Sequence, residues 1–231
     1  MTIPLDTEHA VLRDSIRRYM QAKVVPHIVR HEAEHSFPFE VLPALREFGY
    51  IGGMLPEADG GMDLDYLTWA MLMEEAGYTW MSLRTLLNIT NGAIRRLHAL
   101  GTDDQKARFL QPLLRSERSA CMGITEPNTG SNVAGIQMRA ELRGEHYVLN
   151  GRKLWITNGA WADFAIVVAR TFSPDCDGQL SLFIVEREAS PYEVRRLDTM
   201  VLRCTGTAEL SFADVKIPRE NLLGAEGQAF S

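Results

Sequence analysis

With 231 residues, 45% of them hydrophobic and 23% charged, the chain can bury one large core or two smaller ones. Its formal net charge of −6, with basic residues spread along the length, argues against a nucleic-acid surface, which needs a basic face to neutralise phosphates. No apolar run is long enough to span a bilayer, the start lacks a signal-peptide core, and three distant cysteines without a CxxC point to a reduced cytoplasm.

From Leu5 to about Leu114 apolar residues recur every three or four positions, as helices require. Val11, Leu12, Ile16, Tyr19 and Met20 form one such face, and Tyr66, Leu67, Ala70, Met71 and Met73 another. Ser36-Phe37-Pro38 can open a helix, and the loop Pro56–Gly61 precedes one that begins near Asp63. Gly101-Thr102-Asp103-Asp104 ends one helix and starts the next, with Thr102 or Asp103 as N-cap.

After Ser119 the period changes. Tyr147-Val148-Leu149, Leu154–Thr157, Phe164–Val168, Leu180–Val185 and Ala208–Phe212 are β-branched or aromatic runs bounded by Gly, Asn and Asp. Residues 145–170 read as consecutive antiparallel strands turning near Asn150-Gly151 and Asn158-Gly159, because Asn-Gly tolerates positive φ. The expected class is α+β: an all-α domain over 1–118, an antiparallel β-barrel or sandwich over 119–220, and a linker over 221–231.

No GxGxxG follows a strand and no GxxxxGK[ST] occurs, which argues against a Rossmann or P-loop nucleotide site. The loop Met122-Gly123-Ile124-Thr125-Glu126-Pro127-Asn128-Thr129-Gly130-Ser131 offers small residues and backbone N–H groups that can approach a ring edge or a pyrophosphate. It can equally be read as a proline-containing turn between strands. Trp155 and Thr157, two apart on a strand, would share one face, with an indole to cover a flat heterocycle and a hydroxyl to bond it. A core tryptophan beside a strand threonine is the other reading of that pair.

Taken in order, Met122–Ser131 and Asn150–Gly159 resemble the flavin-cradling segments of the acyl-CoA dehydrogenase family. Gly101–Lys106 is similar to that family's GTxEQK helix junction, and Arg203–Phe212 with Val215–Pro218 to its last β-strands, so the likeness spans nearly the whole chain. The resemblance implies FAD held by Met122, Gly123, Ile124, Thr125, Gly130, Ser131, Trp155, Ile156 and Thr157. Ile124 and Thr125 would lie near the pyrimidine edge, Gly130 and Ser131 toward the pyrophosphate, Trp155 against the isoalloxazine and Thr157 near N5. Ser131 would also approach the CoA arm of the substrate. Asn128-Thr129 and Asn132 depart from the commoner Gly-Ala and Asp, and Met122 stands where a large aromatic is frequent.

The implied reaction is α,β-dehydrogenation of an acyl-CoA or carrier-bound acyl thioester. In it a glutamate of the family's C-terminal helical domain takes the α-proton while hydride passes to flavin N5. Electrons would go on to an electron-transfer flavoprotein, and the enzyme would be a homo-oligomer. The matched portion ends near Leu222–Ser231, which looks like the linker into that C-terminal domain. The expectation is therefore a fragment, or a half-subunit completed by a complementary chain, and no residue here is assigned as base. Flavin oxidases and hydroxylases of the same fold are the alternative chemistry.

Two further features carry rival readings. His31-Glu32-Ala33-Glu34-His35 matches HExxH, a zinc-hydrolase signature, and His27 extends the stripe at i, i+4, i+8. Flanking charge and the break at Ser36-Phe37-Pro38 argue against it, so no metal is expected. Arg84 sits in an otherwise apolar helix that the resemblance places near the acyl tail. There it would meet a polar or anionic acyl group, or else it snorkels to the surface. Cys121 reads as a small strand residue without a cationic neighbour.

Overall fold

The computed structural model describes residues 6–230; the outermost positions of the 1–118 and 221–231 assignments, residues 1–5 and Ser231, lie outside the described residues. Among the described residues seven α-helices precede eight strands: α1 (Thr7–Lys23), α2 (Val25–Glu34), α3 (Leu42–Leu45), α4 (Tyr66–Thr79), α5 (Met81–Leu100), α6 (Asp103–Gln105) and α7 (Gln111–Leu114). The strands are β1 (Ala120–Gly123), β2 (Arg139–Arg143), β3 (His146–Ile156), β4 (Phe164–Ser173), β5 (Cys176–Glu186), β6 (Glu193–Arg196), β7 (Ala208–Pro218) and β8 (Leu222–Leu223). The chain divides into two compact units, 1–91 with 200–205, and 92–199 with 206–231.

In the first unit the caps sit where short acceptors meet apolar periodicity. Asp6 caps α1 through the His9 amide, and Asp65 caps α4 through the Thr68 amide, two residues beyond the expected start at Asp63. Ile16, Met20, Leu45, Tyr50, Leu72 and Leu83 make the core. The buried Glu75 carboxylate accepts two 2.7 Å hydrogen bonds from Arg17, so its charge is compensated. Asn91 accepts from the Gly52 amide and donates to the Tyr50 and Leu87 carbonyls, fixing the loop after α3 to α5.

In the second unit Thr102, not Asp103, caps α6, and Gln105 closes a capping box. The Gln105 side chain also donates to the carbonyls of Glu220 and Leu222, anchoring the approach to β8.

The strands form one sheet in the order β6-β7-β3-β2-β4-β5-β8, with β1 on β4. It is mostly antiparallel, but β1 and β2 both run parallel to β4, and the path does not close, so it is an open sheet rather than a barrel. Residues 164–169 of β4 are all fully buried, as expected of a strand covered on both faces.

Two expectations about residues 145–170 are corrected. β3 and β4 are not partners; β2 lies between them. Asn150-Gly151 is not a turn but lies inside the eleven-residue β3, opposite a bulge in β7. Asp214 takes the extra position there with φ 51°, clipped by hydrogen bonds between its amide and carboxylate and the Asn150 side chain. Gly151 adopts φ 147°, and a Cβ there would stand 2.9 Å from the Met138 Cα. The Asn-Gly pair is thus selected for backbone freedom, used at a bulge instead of a hairpin.

Candidate functional site

β1 delivers the loop that follows it, and the end of β3 lies against that loop. The Leu154 amide donates to the Thr125 carbonyl at 2.9 Å, and Lys153 Nζ donates to the Ile124 carbonyl at 3.1 Å. Lys153 is 0% exposed and forms a 2.8 Å ion pair with Glu126, itself 6% exposed. Glu126 also accepts from the amides of Gln137 and Met138, so three donors compensate its charge. Burial pulls the Lys153 ammonium below its ordinary range, with Glu126 opposing the shift.

Beyond Lys153 the strand is bulged: three steps of β3 from Lys153 to Ile156 match two of β7 from Leu210 to Ala208. The irregular residue is Trp155, held at φ 60° with 59% of its surface exposed. The left-handed region is an outlier for a bulky side chain and costs about 1–2 kcal/mol. Exposing an indole forfeits its burial gain as well. Ile156 turns the other way, 3% exposed, which leaves only its backbone for a ligand face. Thr157 is half-buried just past the strand, and Asn158, at φ 64°, donates its side-chain amide to the Ala120 carbonyl. That bond ties the segment after β3 back to β1.

Along the loop, Met122, Ile124 and Thr125 are half-buried, Gly123 is buried, and Gly130 and Ser131 are exposed. The two glycines have different reasons. A Cβ at Gly123 would meet Val167 at 2.9 Å, so close packing requires it, whereas at Gly130 nothing lies within 4 Å. Neither packing nor a positive φ accounts for Gly130. Among the described residues no group accepts the Gly130 or Ser131 amide hydrogens. An open glycine with free amides is a cradle for an anionic or flat ligand. Residues flanking Trp155–Thr157, namely Lys153, Leu154 and Asn158, thus bond to the β1 strand and its loop at Ala120, Ile124, Thr125 and Glu126 within the second unit, and the chemistry of this donor set fits a flavin dinucleotide.

Sequence reasoning missed Glu126, Lys153 and Asn158 as the residues that hold this cradle, although all three lie within the quoted motifs. The available signal was a lysine at the same strand parity as Trp155, in a run otherwise fit for burial. Arg84 belongs to the first unit, on α5, half-buried, and its guanidinium has no hydrogen bond or ion pair among the described residues. Cys121 is buried in β1, and burial pushes its thiol up to about 12, as expected of an inert strand residue.

The HExxH reading fails on geometry. His35 leaves the helix as a left-handed cap at φ 51°. The Glu32 carboxylate is occupied by the Trp80 indole at 2.7 Å and the Ser82 hydroxyl at 3.1 Å. It is an internal anchor, not a base facing a metal.

Within the second unit, an open sheet carries a bulged, exposed tryptophan and a glycine-bearing loop bonded to the same strand. Comparison with known proteins gives the family. The model of the acyl-CoA dehydrogenase N-terminal domain matches residues 6–117, and that of the middle domain matches residues 121–215. The short-chain specific acyl-CoA dehydrogenase of Clostridium acetobutylicum is 30% identical over 100% of this chain and 61% of its own length. The crystal structure of an acyl-CoA dehydrogenase from Geobacillus kaustophilus superposes with a TM-score of 0.88 at 30% identity, covering 100% of this chain and 61% of that one. A glutaryl-CoA dehydrogenase from Mycobacterium smegmatis, solved in complex with FADH2, gives 0.88 at 26% identity, covering 97% of this chain and 57% of that one. The chain belongs to the acyl-CoA dehydrogenase family. It spans about three fifths of the length of these relatives.

Proposed function

We propose that this protein is an FAD-dependent enzyme acting in α,β-dehydrogenation of an acyl-CoA or carrier-bound acyl thioester. The observation that carries the reading is Trp155, exposed and backbone-strained beside an open, amide-rich loop. Such strain persists where the surroundings enforce it and a ligand uses it. FAD, when bound, would supply the hydride acceptor.

In this reading the Trp155 indole is the platform for the isoalloxazine, and the Thr157 hydroxyl donates toward N5. Ile124 and Thr125 line the pyrimidine edge. The Gly130 and Ser131 amides face the pyrophosphate, with Ser131 also near the CoA arm. Glu126 and Lys153 hold the loop at its distance from β3, so the platform and the amides keep their spacing before any ligand arrives. Arg84, its guanidinium without a hydrogen-bond or ion-pair partner among the described residues, would receive a polar or anionic acyl end. None of these residues takes the part of the general base in this reading.

We extend the proposal to organisation: a helical domain over 1–118, a flavin-contacting domain over 119–220 and a linker over 221–231. Its partners would be an electron-transfer flavoprotein and further copies of the protein or a complementary chain, in the cytoplasm. No described helix is long and apolar enough to cross a membrane. The test is titration of the purified protein with FAD, followed by visible absorption. A shifted oxidised-flavin spectrum that Trp155→Ala removes supports the reading; a spectrum identical with free FAD at saturating protein overturns it for this chain.

A further inference from the structure

The histidine stripe of α2 is put to a use the HExxH spacing does not describe. His27, His31 and Glu40, the last in the turn Phe39–Val41, each bring one ligating atom to a common point, all within 4.8 Å of one another. His27 and His31 are one helical turn apart on one face, with ring centroids 6.0 Å apart. The third member comes from the turn that follows Pro38.

His31 is set in the required tautomer. Its Nδ1 lies 2.7 Å from the Ser36 hydroxyl oxygen, and that hydroxyl donates to the Glu34 carboxylate at 3.4 Å. A carboxylate only accepts, so the serine proton points to Glu34 and the serine oxygen accepts from His31 Nδ1–H. The Nε2 lone pair of His31 is left for a ligand, and a histidine that donates its other N–H to a fixed partner is the usual arrangement at metal centres. His31 is 6% exposed, which makes it a rigid anchor, while His27 is half-buried and Glu40 exposed, which leaves a path for a hydrated ion.

We infer that His27, His31 and Glu40 form a binding site for a divalent transition cation of the zinc class, with water as fourth ligand. Two imidazoles and one carboxylate are a zinc-type donor set. Tetrahedral ligation draws such donors to about 3.3 Å apart. The movement falls to His27 and Glu40, whose side chains have no hydrogen-bond partner among the described residues. A cation held there would cross-link α2 to the turn that follows it.

Tag-free, chelator-stripped protein titrated with Co2+ under visible absorption, then with Zn2+ in a calorimeter, tests this. The expected result is one cation per chain, a four-coordinate cobalt spectrum, and displacement of cobalt by zinc. His27→Ala and Glu40→Gln, both at accessible positions, abolish the stoichiometric binding, while Ser36→Ala weakens it about tenfold through the lost orientation of His31. Circular-dichroism melts of the metal-free variants identify any that fail to fold. Absence of saturable binding in the unaltered protein, or binding unchanged in the folded His27→Ala/Glu40→Gln double variant, overturns the inference.

Discussion

Lys153 Nζ and Glu126 Oε1 are 2.8 Å apart, and neither side chain is open to water. One stands two residues before the exposed tryptophan and the other in the middle of the glycine-bearing loop, so the ion pair joins the Leu154–Thr125 and Lys153–Ile124 bonds in holding strand to loop. A buried pair is costly to break from one side, because the remaining charge is left without compensation. Glu126→Ala is expected to lower unfolding free energy by about 3–5 kcal/mol. The pair Lys153→Met with Glu126→Gln recovers much of that loss in urea denaturation while loosening the loop. A double variant no more stable than the single one would show that the Gln137 and Met138 amides, not the lysine, depend on Glu126.

Trp155 separates stability from binding. At φ 60° glycine is free of the side-chain penalty, so Trp155→Gly should be more stable than Trp155→Ala by about 1 kcal/mol, although both lose the indole. Both should bind FAD at least about tenfold more weakly, in keeping with the energy of an aromatic contact. Paired denaturation curves and flavin titrations read the two effects. Equal stability of the two variants would mean the strain is not carried at this residue.

Gly130 and Gly151 should respond oppositely to the same substitution. Gly151→Ala places a Cβ against the Met138 backbone at φ 147° and should cost about 2–3 kcal/mol. Gly130→Ala meets nothing and should leave stability within about 0.5 kcal/mol. Its effect should appear only as weaker FAD binding. Thermal melts with and without FAD distinguish the two; a destabilised, ligand-indifferent Gly130→Ala would remove the argument from open space.

Glu32 gives the pH dependence. Burial works to raise its pKa, but hydrogen bonds from Trp80, Cys204 and Ser82, with the charge of Arg203, outweigh it and hold the carboxyl below its ordinary 4.5. A depressed folded-state pKa stabilises the fold above the unfolded value, and that contribution fades as pH falls through the folded one. Unfolding free energy should therefore drop below about pH 4.5 more steeply in the unaltered protein than in Glu32→Gln, measured by urea midpoints across the acid range. Parallel curves would place the acid sensitivity elsewhere.

Period and capping were legible in the chain itself. Three- and four-residue spacing marked the helices to Leu114, the Gly101–Asp104 junction marked the start of α6 to within one residue, and five β-branched or aromatic runs marked four of the strands, two of the runs falling in β3. These are local properties, decided by which side of an element meets apolar neighbours and which short side chain reaches an amide. The family motifs were legible too, because each is a contiguous string. What the sequence alone could not decide was long-range pairing. Asn150-Gly151 has the same backbone freedom at a bulge as in a turn, and only the β2–β3–β7 register chose the bulge. Alternation put Lys153 and Trp155 on one face; the extra residue before Ile156 buried the lysine against Glu126 and turned the indole outward. His31 lost His35 to a left-handed cap and gained Glu40 across the turn after Pro38. In each case the local preference was degenerate, and the state adopted was the one that satisfied buried polar groups only after distant segments had come together.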